Sequence, residues 1–117
     1  MFTTINIIRI PRVHVDAFLR IEREAESIYR EYGGLGNEIL SPVNLDASYG
    51  CVAFGEVLDV ASDEAVYIVL DRFHDRAHYG TVMEQANADL RIDALFDEFK
   101  QLLDVGRIVR GEFERID

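Results

Sequence analysis

Two stretches of this chain, residues 2–10 (FTTINIIRI) and 65–73 (AVYIVLDRF), read as β-strands that are apolar on both faces. Successive side chains of a strand point to opposite sides. Val66, Ile68 and Leu70 therefore face one way, and Tyr67, Val69 and Phe73 the other. Ile5 and Ile7 likewise oppose Ile8 and Ile10. An antiparallel sheet with one wet face alternates apolar with polar residues, and these strands do not. Each large side chain left in water forgoes about 1.5–3 kcal/mol. Several of them rival the ~5–15 kcal/mol that holds a domain folded. The chain's own helices can cover one face. The simplest cover for the other is a second copy, so the pattern predicts an isologous homodimer with a sheet-to-sheet interior.

The helices follow from a change of period. Across residues 14–32, Ala17, Phe18, Ile21, Ala25, Ile28, Tyr29 and Tyr32 recur at three- and four-residue spacing, the mark of one helical face. The polar side carries Arg20, Glu22, Arg23, Glu24, Glu26, Arg30 and Glu31, with Glu26 and Arg30 a favourable i,i+4 pair, and Gly33-Gly34 ends the helix. Asp75 is a candidate cap for a helix over 76–87, and Asp89 for another with Ile92, Leu95, Phe96, Phe99, Leu102 and Leu103 inside. Residues 35–43 and 107–116 read as extended. Residues 51–58 (CVAFGEVL) read as a further strand with Cys51 as a small buried residue, joined to the next by a hairpin-sized connection over 59–64. The order β-α-β-β-α-β, with the second β position broken in two and the second helical position divided, predicts an α+β fold. It is the ferredoxin-like split βαβ sheet with helices on one face, in a single domain spanning 1–117.

Composition narrows the partners. The chain carries 22 acidic residues against 12 Lys and Arg, a formal charge of -10. A field of that sign repels phosphate backbones, so neither nucleic acid nor an anionic membrane is expected. No run reaches the ~20 apolar residues of a membrane span, and the first residues do not resemble a signal peptide. With one cysteine and no intramolecular disulfide, a cytoplasmic location is expected. No phosphate-binding glycine loop or nucleophile elbow is present, and no motif requires a cofactor.

Several landmarks together resemble a known family. Arg76-Ala77-His78, followed by Asp89-Leu90-Arg91, is similar to the R-A-H … D-P-R signature of the uncharacterised DUF1428 family. Arg107-Ile108-Val109-Arg110-Gly111-Glu112-Phe113 resembles its K-R-M-I-Y-G-G-F ending. Ile10-Pro11, Asp16-Ala17-Phe18, Tyr32-Gly33-Gly34-Leu35 and Asp63-Glu64 fit in the same order. Tyr79-Gly80 and Leu90 depart from the pattern, standing where the family tends to show R-D and Pro. The resemblance implies a dimeric α+β barrel and brings little function.

Candidate chemistry centres on His78, placed in the first turn of a helix as an acid or base near neutral pH. Arg76 and Arg91 are candidate binders of an anionic ligand group; each also has acidic sequence neighbours with which it could simply pair. Asn6 and Tyr67 are candidates to project between sheet and helices. His74-Asp75-Arg76-Ala77-His78 spells H-D-x-x-H, but His74 precedes the helix and no third ligand is evident, so no metal is expected. Asn6 with His78 is similar to an arrangement in haem-degrading relatives, which also use a Trp that this chain lacks. The leading expectation is a homodimer that binds, and if chemistry occurs transforms, a small partly apolar molecule in a pocket between sheet and helices. The alternative is a non-catalytic dimeric interaction or regulatory module. Convergence of His78, Arg76 and Arg91 on one cavity separates the two.

Overall fold

A computed structural model describes residues 1–117. Four strands, β1 (Phe2–Pro11), β2 (Asn37–Leu40), β3 (Glu64–Phe73) and β4 (Val109–Glu114), form one antiparallel sheet in the order β2-β3-β1-β4. Helices α1 (Val15–Glu31), α3 (Arg76–Asn87) and α4 (Leu90–Phe99) accompany it, with a short α2 (Phe54–Leu58) between β2 and β3. The ferredoxin-like α+β architecture expected from the sequence is the one observed.

Register separates the two sheet faces. Ile8 pairs with Tyr67, Asn6 with Val69 and Arg110, and Thr4 with Asp71. These residues share the face that packs on the helices. Phe18, Ile21 and Ile28 of α1, Ala86 of α3, and Ile92, Leu95 and Phe99 of α4 meet Ile8, Ile10 and Val69 in the main core. Phe2, Phe73 and Val82 form a smaller one at the far end. Gly33, at φ +102°, makes the left-handed turn that ends α1. Its N–H donates to Arg30 O and that of Gly34 to Tyr29 O. The expected Glu26–Arg30 pair forms at 2.6 Å.

The opposite, outer face carries Ile5, Ile7, Ile68, Leu70 and, toward the edges, Leu40, Val109 and Phe113. Leu40, Val109 and Phe113 are exposed, and the isoleucines and Leu70 only half-buried. One end is protected by the chain itself. The Arg9 guanidinium donates to the carbonyls of Leu58 and Arg107, and Val66 and Leu58 are buried. Arg107 in turn pairs with buried Glu64 at 2.6 Å, which holds that carboxyl below the usual carboxylate range. The molecule is a slab of 41 × 39 × 21 Å with a Cα radius of gyration of 15.2 Å. A compact domain of this length has about 13 Å.

Four expectations are corrected. Residues 51–58 are not a strand: 54–58 form α2. β2 already occupies the sheet edge beside β3, and Ala53 and Leu58 bury themselves without ladder pairing. Cys51 is accordingly exposed, in the loop before α2. The helix capped by Asp89 ends at Phe99, so Leu102 and Leu103 lie beyond it. Phe96 is 47% exposed rather than core.

Candidate functional site

Between the sheet and the helices lies a cavity of about 520 Å³, open to solvent and lined by 17 residues, 11 of them hydrophobic. Ile21, Ile92, Leu95, Phe96 and Phe99 supply much of its apolar wall. Its polar groups come from every surrounding element: Glu22 and Tyr29 from α1, Asn6 from β1, Asp71 from β3, Asn87 at the end of α3, Asp93 from α4 and Arg110 from β4. A mostly apolar concavity with a few convergent polar groups is the usual form of a small-molecule site.

Glu22 is the most perturbed group in this wall. Burial, and secondarily the nearby Asp71 carboxyl, push its pKa up to about 7. Burial also raises Asp71, against the lowering influence of the Thr4 hydroxyl, which donates to Asp71 Oδ2 at 3.4 Å, and of the Asn37 side chain. Tyr29 is pushed up to about 12 by burial and then by the same two carboxyls. Two carboxyls withdrawn from water next to each other cannot both ionise cheaply. The pair therefore holds a proton near neutrality, in a place a ligand can reach, and an acid or base poised there is suited to proton exchange.

Of the residues singled out from sequence, Asn6 lines this cavity. Tyr67 shares its sheet face but packs into the core, its ring 5.6 Å from that of Phe18. His78, Arg76 and Arg91 do not line it and are not brought together. The His78 N–H donates to the Asp75 cap at 2.7 Å, and His78 Nδ1 accepts from the His74 N–H at 2.9 Å. Arg91 is bound to Asp89 at 2.8 Å and to Glu31 at 3.0 Å; Asp89 also accepts from the Tyr32 hydroxyl. These bonds hold Asp89 well below the usual carboxylate range and raise Arg91. Arg76 is exposed. Asp75→Ala is expected to cost about 1 kcal/mol through loss of the helix cap. His78→Ala should cost less, because the cap remains; thermal denaturation of the two variants checks the order.

Sequence reasoning missed Glu22 and Asp71, yet each left a signal. Phe18, Glu22, Ala25 and Tyr29 follow helical spacing, so Glu22 stands in the apolar stripe of α1. Asp71 stands between Val69 and Phe73 on the buried face of β3. A carboxylate at a position that periodicity assigns to the interior is the informative observation.

The fold is that of a ferredoxin-like α+β protein. It belongs to the DUF1428 family, described as a protein of unknown function, whose pattern matches residues 1–102. An uncharacterised NIPSNAP domain protein from Burkholderia xenovorans is similar over 99% of this chain and 95% of its own, at 14% identity and a TM-score of 0.64. An antibiotic biosynthesis monooxygenase matches over 100% of both chains at 13% identity and a TM-score of 0.62. HapK from Hahella chejuensis matches over 99% of this chain and 93% of its own, at 17% identity and a TM-score of 0.57. At such identities the likeness is one of fold. No curated protein matches the chain.

Proposed function

We propose that this protein is a homodimer that binds a small, partly apolar molecule in the cavity between sheet and helices, with Glu22 as the group that exchanges a proton with it. The observation that carries this reading is the Glu22–Asp71 carboxyl pair set into an otherwise apolar, solvent-connected wall. Asn6 serves as the hydrogen-bonding group that orients the ligand, since its amide can both donate and accept. The acid-base role expected of His78 passes to Glu22, because His78 accepts a backbone hydrogen bond outside the cavity. Pairing across the outer sheet face supports the site indirectly. It fixes the sheet from which Asn6, Asp71 and Arg110 project.

Ala25 tests the reading, because it lines the cavity and is small. Ala25→Phe should fill the space while keeping helix α1 intact. Native mass spectrometry of freshly purified protein, followed by thermal shifts against a library of small aromatic and aliphatic molecules, should find ligands for the wild-type chain that the variant does not bind. Identical behaviour of the two, or a wild-type chain that responds to nothing, counts against the site. The second outcome favours a non-catalytic dimeric module. That rival is supported by the use of His78 and Arg91 at helix ends.

A further inference from the structure

We propose that the cavity selects a cationic, partly apolar ligand, an organic amine whose ammonium group lies between the carboxyls of Glu22 and Asp71 and whose hydrocarbon part lies along Phe96, Phe99 and Leu95. The inference rests on the cavity-binding reading above and names the class of ligand that reading takes. It departs from the anionic ligand that Arg76 and Arg91 suggested.

The charge in the wall is one-sided. Three carboxyls, Glu22, Asp71 and Asp93, line the cavity against one cation, Arg110. That cation is already engaged: its Nη1 donates to Glu112 at 2.9 Å and its Nη2 to the Tyr79 hydroxyl at 2.7 Å. The arginines of α1 do not neutralise the site either. Arg20 pairs with Glu24 and Glu98, Arg30 with Glu26, and Arg23 is exposed and does not line the cavity. The Glu22 side chain takes part in none of the chain's hydrogen bonds or ion pairs, and Asp71 has only the long bond from Thr4 and the Asn37 side chain beside it. A carboxylate withdrawn from water without a partner is costly. The two carboxyls therefore either keep a proton or await a cation from outside.

An ammonium group supplies what the chain gives Asp71 only through Arg110 and does not give Glu22: positive charge, with up to three N–H donors. The remaining wall suits its hydrocarbon part. Phe96, Phe99 and Tyr29 are aromatic, and aromatic faces attract cations. Around Glu22, the facing groups are Tyr29 on its own helix, Asp71 on β3, Asp93 on α4 and Arg110 on β4; Asn6 and Asn87 face it from β1 and α3 without charge. Nearly every charged neighbour thus favours a cation.

Three molecules of one shape read this out by calorimetric titration: 1-naphthylmethylamine, 1-naphthylmethanol and 1-naphthoate. The amine should bind at least tenfold more tightly than the alcohol, and the carboxylate most weakly. Affinity for the amine should rise between pH 6 and pH 8, as Glu22 gives up its proton, and level off above. Glu22→Gln should lower amine affinity about tenfold, a clearly larger loss than it causes for the alcohol. Equal binding of all three molecules, or tightest binding of the carboxylate, overturns the cation preference while leaving the cavity as a binding site. Binding of none, together with no response in the ligand library, removes the binding reading itself. Circular dichroism of Glu22→Gln confirms that the fold is present in the comparison.

Discussion

Glu22→Gln is expected to be more stable than the wild-type protein at pH 8 and nearly equal to it at pH 5. The sign follows from linkage between protonation and folding. Glu22 has an ordinary value of 4.5 and is raised to about 7 by burial beside Asp71. Between those values the folded chain holds a proton that the unfolded chain has lost. Stability therefore falls as pH rises from 4.5 through 7 and is flat beyond. A shift of this size corresponds to at most about 3 kcal/mol, reduced to the extent that cavity water solvates the carboxylate. Glutamine imitates the protonated acid and carries no charge to bury, so it removes the loss. Urea denaturation of both proteins at pH 5, 6, 7 and 8 checks it: the curves should diverge with rising pH by ~1–3 kcal/mol. Parallel curves would mean that Glu22 is well hydrated, and the proton-exchange role would go with them.

Breaking the outer sheet face should have a second large effect. Wild-type protein is expected to sediment as a dimer at micromolar concentration, and Leu70→Asp as a folded monomer. Leu70 and its neighbours Ile5, Ile7 and Ile68 are only half-buried in the single chain, so the substitution leaves the helix-side core alone. In a two-fold interface each change counts twice. Losing two large apolar contacts at about 1.5–3 kcal/mol each weakens association by roughly 10² to 10⁴-fold. The 21 Å thickness of the slab makes the same point in another form. Stacked sheets lie about 10 Å apart, and this molecule has one sheet and one helical layer. A wild-type chain that stays monomeric, with Leu70→Asp no different, would refute the pairing.

The fold was legible because its strongest signals are local and repeated. Apolar, β-rich runs marked β1 and β3, period-3.6 patterns marked α1 and α4, and Asp75 and Asp89 announced their helices by capping them. The segment before β3 misled because CVAFGEVL has the composition of a strand; composition does not tell whether a neighbouring strand is available to pair with it. The site was harder to read. His78, Arg76 and Arg91 stood out as a motif, but His78 bonds at a helix start, Arg91 pairs with Asp89 and Glu31, and Arg76 is exposed. Glu22 and Asp71 are far apart in sequence and look like ordinary surface charge. Their meaning comes from register and packing, which bring α1 over β3. Asn6 was found as a strand residue able to project between sheet and helices, and the same question asked of Glu22 and Asp71 reaches the cavity.

The sheet's flanks also limit how these molecules can assemble. At one margin β4 bears Arg110, Glu112 and Glu114, and at the other β2 is only four residues long and carries Glu38. Charged or short borders discourage sideways addition of further strands. Under the proposed pairing, a protein apolar across its broad surface yet guarded along its rims stops growing once two copies meet. That geometry favours a finite particle over a fibre, even at the high concentrations at which exposed β-structure tends to polymerise.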